Sequence, residues 1–141
     1  MRQFAGSIGA GPVSESPTFQ EIPAYVDFQP LLRWQWEGYP DYHAGRANLL
    51  LHIVVVPLFL IGNVGLVAAL LQGAWWSALA GAAAMGVSVA LQGRGHRTED
   101  IESIPFVSPG QAVARIFLEQ WINFPRFVLS GRWLKALRQA R

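Results

Sequence analysis

The chain has 141 residues, 52% of them apolar and only 14% charged, with a formal net charge of +2 and no cysteine. Ordinary soluble domains carry roughly 25% charged residues, so the composition points away from one. A chain of this length forms one domain at most, and without cysteine it has no disulfides, no thiolate metal sites and no thiol nucleophile.

Residues 1–27 are rich in Gly, Ser and Pro, carry Glu15 and Glu21, and contain no long apolar run. They read as a mobile tail rather than a signal peptide. Residues 28–141 then form a single helical, membrane-associated domain. Its first segment, FQPLLRWQWEGYPDYH (28–43), places Trp34, Trp36, Tyr39 and Tyr42 just ahead of a long apolar stretch. Tryptophan and tyrosine favour the headgroup layer of a bilayer.

Between Arg46 and Arg94 there is no Asp, Glu, Lys or Arg. Residues 49–71 supply about 34 Å of helix, and residues 74–91 about 27 Å, enough for one full span and one shorter span. Gln72 and Gly73 separate them, so a tight antiparallel hairpin is expected, with Trp75 and Trp76 at the far interface. A pair of buried helices in a soluble bundle is the alternative, but such helices normally show a polar face and these do not. Ala74, Ala78, Ala82, Gly86 and Ala90 recur every four residues and are expected to let a second helix approach closely. Every Lys and Arg lies outside the hairpin, so the positive-inside rule places both termini of this integral membrane chain in the cytoplasm.

Beyond the spans, Ser108 and Pro109 mark a helix start. The segment after Pro125, RFVLSGRWLKALRQAR, alternates bulky apolar with basic residues, which suits an anionic membrane surface. No motif supports nucleic-acid binding. The expected fold is therefore all-α: a membrane helical hairpin with interfacial amphipathic helices.

The chain has three histidines, His43, His52 and His96, one inside the uncharged stretch and the others just beyond its two ends. An ionisable group in a lipid-facing segment is costly and marks function by default. Asn48 and His52 are four apart and share a helix face, whereas His43 joins them only if the chain bends, which Gly45 permits. His96 and Glu99, three apart, share a face, and Asp100 and Glu102 are further carboxylates. Each histidine alone is as well explained by a hydrogen-bonded interfacial side chain. As a set with a nearby carboxylate they suit iron(II), manganese or zinc, and open positions favour iron and oxygen chemistry.

The segments YHAGRANLLLHIVVVP (42–57) and LQGRGHRTEDIESIPF (91–106) resemble the two signature blocks of the fungal 2-hydroxy fatty acid dioxygenase family of phytosphingosine breakdown and its bacterial relatives. The segment EQWINFPRFVLSGRW (119–133) is similar to the ending of bacterial members. The resemblance implies an integral membrane enzyme that uses Fe(II) and molecular oxygen to shorten a 2-hydroxy fatty acid by one carbon. It implies His43, His52 and His96 as metal ligands, with Asn48 and Glu99 as catalytic neighbours; for a fatty acid whose charged head stays near the surface, Arg46, Arg94 or Arg97 offers a charge-assisted contact to the carboxylate. The chain departs from the family in showing two spans only, and either Glu99 or Asp100 can be the site carboxylate. The rival reading is a non-catalytic membrane hairpin that binds or scaffolds lipid through its small-residue face and basic tail.

Overall fold

The computed structural model describes residues 27–140, so the expected tail lies outside the described residues except for Asp27. Among the described residues all regular structure is helical: α1 (Phe28–Gly38), α2 (Arg46–Leu71), α3 (Trp75–His96), α4 (Pro109–Leu118), a π-helical turn (Glu119–Asn123), α5 (Phe124–Leu129) and α6 (Arg132–Gln139).

Helices α2 and α3 form the expected antiparallel hairpin, and their limits sit close to those read from the apolar pattern. The turn closes on Gly73, whose φ of +68° is the left-handed geometry that glycine adopts without strain. Midway along the pair the backbones nearly touch. A Cβ at Gly62 would lie 2.8 Å from the Gly81 carbonyl oxygen, and one at Gly81 2.7 Å from that of Gly62.

The stripe at 74, 78, 82, 86 and 90 is not the packing face: only Ala78 of the five is buried, and nothing approaches Gly86. Each step of four overshoots a full helical turn by about 40°, so five such positions wind around the helix instead of holding one face. The face α3 turns to α2 carries Ala78, Gly81, Ser88, Gln92 and Gly95, with steps of three, four or seven.

Among the described residues only α2 is both long and apolar enough to cross a membrane; α3, diluted by tryptophan, serine, glycine and glutamine, is not. Just 28% of the most apolar window of α2 is buried. Val54, Ile61, Val64 and Leu71 are exposed, as are Trp75 and Trp76 at the turn and Leu79 on α3. A core helix of a soluble bundle buries such residues.

The shorter helices fold back over the Arg46 end of the hairpin. Tyr39, Leu49, Val56, Phe124 and Phe127 form the core there, with Trp36, Ile53 and Trp133 packed against it. Trp133 Nε1 donates to the Leu49 carbonyl at 3.1 Å and fastens α6 to α2. Arg126 and Arg132 lie over the Trp36 ring at 3.9 and 4.9 Å, so part of the basic C-terminal charge covers an aromatic face. Helix α4 starts as its sequence indicates, with the Ser108 hydroxyl accepting from Gln111 N at 3.1 Å.

A candidate metal centre

The bend that His43 requires is present. Helix α1 ends at Gly38, and a run of turns carries the chain to α2, with Asp41 N donating to the Gly38 carbonyl and His43 N to that of Pro40. This places His43 against His52 of α2 and His96 at the end of α3. The three ring centroids are 4.8, 4.8 and 4.9 Å apart.

The carboxylate that joins them is neither Glu99 nor Asp100 but Glu119, the first residue of the π turn. Its Oε1 lies 3.3 Å from His43 Nε2, 3.7 Å from His52 Nε2 and 3.8 Å from His96 Nε2. The four ligand atoms all fall within 4.8 Å of one another, a group that can hold a metal ion. Bonds of about 2.05 Å in a tetrahedral site set the ligand atoms about 3.3 Å apart, so the Glu119 contacts of 3.3, 3.7 and 3.8 Å are near that spacing, while a pair at the outer separation of 4.8 Å must close by about 1.5 Å.

The hydrogen-bond pattern prepares this geometry. His43 Nδ1 donates to the Tyr39 carbonyl at 2.9 Å and His52 Nδ1 to the Asn48 carbonyl at 3.0 Å. A carbonyl only accepts, so Nδ1 carries the proton in both rings and each Nε2 turns a lone pair inward. These two Nε2 atoms and Glu119 Oε1 are buried without any hydrogen-bond partner. Buried polar atoms are rarely orphaned, and three facing one point are explained by a shared cation. Burial pushes the Glu119 carboxyl up, but without a metal a proton shared from the His43 or His96 imidazole outweighs this and holds it well below the usual carboxylate range. It is therefore ionised, the form a metal takes. Burial and the Glu119 charge push the Tyr39 phenol well up, so it keeps its proton beside the cluster.

Two features set the position of Glu119. Phe124 N donates to the Glu119 carbonyl, the five-residue step of a π turn, directly before Pro125, which has no N–H to continue an α pattern. Next to it, Gln120 and Gln92 exchange reciprocal amide bonds of 2.6 and 3.1 Å, and Gln92 continues to Ser88 Oγ, which donates to the Val55 carbonyl at 2.6 Å. A buried, fully paired polar chain of this kind locks one arrangement. It ties the π turn to both helices of the hairpin.

Asn48 and Glu99 are together, but away from the cluster centre. Glu99 Oε1 accepts from Asn48 Nδ2 at 2.6 Å, while Oε2 accepts from Gly45 N at 2.8 Å and Ala44 N at 3.2 Å. Asn48 also donates to the Tyr42 carbonyl. This is a clasp that fixes the turn carrying His43 to the end of α3; Asp100 is exposed.

Above the cluster opens a cavity of about 910 Å³, with His43, His96 and Glu119 in its wall and His52 sealed beneath. Of the arginines expected at the substrate, exposed Arg97 lines this cavity, whereas Arg46 and Arg94 are exposed and stand outside it. Arg115, which sequence reading passed over, lines it too. Set against protein-family models, curated proteins and solved structures, the chain matches none.

Proposed function

We propose that this chain is a membrane-associated iron(II) dioxygenase that shortens long-chain 2-hydroxy fatty acids by one carbon. The observation that carries the reading is the set of three imidazoles and one carboxylate, the inward atoms of His43, His52 and Glu119 buried and unpartnered, in the wall and floor of a cavity beside an apolar hairpin. His43, His52, His96 and Glu119 would hold the metal. Bound iron(II) supplies activation of oxygen and open positions for an oxygen-bearing substrate. The protein's own part is positional. Backbone carbonyls fix the tautomers of His43 and His52, the glutamine chain fixes Glu119, and Tyr39 stands by as a proton-bearing phenol. A 2-hydroxy acid plus oxygen balances to the acid one carbon shorter, carbon dioxide and water, so no reductant is needed. A lipid-binding hairpin without catalysis accounts for the exposed apolar face but gives the buried cluster no role.

Protein purified without oxygen and loaded with iron(II) is expected to hold about one ion per chain. It should consume oxygen with a long-chain 2-hydroxy acid and not with the unsubstituted acid. Equal consumption with both, or none across several chain lengths, sinks the dioxygenase reading.

The exposed apolar surface of α2 and α3, with Trp75 and Trp76 at its tip, supports a hairpin in the bilayer with both termini cytoplasmic. Single cysteines at Gln72 and Gln139 test this; Gln72 serves better than Gly73, whose backbone needs glycine. Labelling of position 139 from outside intact cells overturns the topology. Labelling of position 72 from the cytoplasmic side alone removes the transmembrane hairpin.

A further inference from the structure

Arg115, the half-buried one of the two arginines lining this cavity, is not among the metal ligands. We propose that Arg115 anchors the anionic oxygen head group of an amphipathic ligand that enters the cavity above the cluster. The inference rests on the metal-site reading for where the ligand's reacting carbon lies, but not for the anchoring itself.

Arg115 is half-buried on α4, and its guanidinium lies between two rings, 5.0 Å from the centroid of Trp34 and 4.6 Å from that of Phe106. One end is tied down: Nη1 donates to the Ile104 carbonyl at 3.1 Å and to the Pro105 carbonyl at 3.3 Å. The backbone of Arg115 is itself fastened, its carbonyl accepting from Gln35 Nε2 at 3.1 Å. The side chain is therefore held in one orientation before any ligand arrives, and stacking between rings is a role the planar guanidinium fills and an ammonium does not.

The remaining donors are unmet. Nε is buried with no partner, Nη2 donates to nothing among the described residues, and no carboxylate there pairs with the group. Glu119, four residues on, faces the three histidines and acts on Arg115 through its charge without forming an ion pair with it. A half-buried cation with spare N–H groups is unfavourable as it stands and is relieved by an acceptor carrying negative charge. Asp41 and Glu102 also line the cavity, but both are exposed, where solvent and salt screen them. The rest of the wall near Arg115, with Trp34, Ile104, Phe106 and Ile116, suits an apolar body behind the charged head. A carboxylate and a phosphate monoester share this chemistry.

The test compares dodecanoate, dodecyl phosphate and dodecanol binding to metal-free, full-length protein in a non-ionic detergent, read by tryptophan fluorescence. Wild-type protein is expected to bind at least one of the anions about tenfold more tightly than the alcohol, as one charge-assisted contact gives. Arg115→Gln should level the three, and Arg115→Lys should keep part of the preference. Whichever anion shows the larger Arg115-dependent gain identifies the head group.

Wild-type protein that binds the alcohol as well as both anions overturns the proposal, and this comparison needs no variant to fold. It is overturned as well if Arg115→Gln weakens all three ligands equally, a purely structural effect, or if Arg97→Gln removes the preference and Arg115→Gln does not. A chain that binds no metal yet keeps the Arg115-dependent preference refutes the metal reading alone. A chain that binds metal without the preference refutes the anchor alone.

Discussion

Glu119→Gln will abolish tight metal binding and leave the fold in place, whereas Glu99→Ala will destabilise the fold and leave the metal ligands present. Glutamine keeps the shape of Glu119 but offers a neutral, weakly ligating oxygen. The loss of affinity should exceed the roughly 10–100-fold that follows removal of an outer-shell partner. The stability of the metal-free protein should change by no more than about 1 kcal/mol, because the new amide can donate to an inward-facing Nε2. Glu99→Ala instead strips Gly45 N, Ala44 N and Asn48 Nδ2 of their acceptor. At about 1–3 kcal/mol for a buried donor, with part of the clasp exposed, a loss of about 2–3 kcal/mol is expected. Metal titration of both variants, with thermal unfolding of the metal-free forms, checks the pair. Unchanged affinity in Glu119→Gln removes Glu119 from the metal centre, and a Glu99→Ala protein of full stability that has lost its metal returns the ligand role to Glu99.

Gly81→Val will open the hairpin. Its Cβ would lie 2.7 Å from the Gly62 carbonyl oxygen and 2.9 Å from Leu66 N, both backbone atoms that no rotamer change can move. Overpacking ordinarily costs about 1–3 kcal/mol, and a clash with backbone should stand at or above the top of that range. Separation at Gly81 also strains the Ser88 bond to Val55 and moves His96 relative to His52, so metal affinity should fall along with the unfolding temperature. An unfolding temperature equal to that of the wild type would mean that the helices part freely and that their close approach does not hold the site together.

Much of this architecture was legible in the chain because it is local. The uncharged stretch, the turn near Gln72 and the Ser108 cap are read from neighbouring residues, and the structure places α2 and α3 within a few residues of the limits set by hydropathy. The three histidines were legible only as a set, since their meeting depends on a bend before α2 and on antiparallel pairing. Glu119 was not found because its place in the cluster depends on α4 and the π turn folding back over the hairpin, which no local spacing encodes. The H-x-x-E spacing drew attention to Glu99, a real partner of Asn48 with a different task. A physical signal was nevertheless present: Glu119 is the sole acidic residue after Glu102, set with Gln120 and Asn123 in an otherwise apolar run. Such a charge is rarely buried without a partner. Arg115 was overlooked for a related reason. Its two rings, Trp34 and Phe106, come from distant parts of the chain, and only the folded wall brings them together.

The π turn makes the number of residues in this segment matter as much as their identity. It stores one residue more than an α-helical path between the same ends would hold. Deleting exposed Trp121 would leave every ligand in the sequence, and relaxation to ordinary α geometry would keep the two ends in phase; deleting Ile122 as well would exceed the one stored residue. The residues on one side of the deletion would then turn by about 100° relative to the other. Either Glu119 would leave the histidines, or Phe124 and Phe127 would leave the core. In any relative of this protein, a gap of two residues between Leu118 and Pro125 would therefore signal a dismantled site even where all four ligands are retained, while a one-residue gap, or a substitution at Trp121 or Ile122, would signal nothing of the kind.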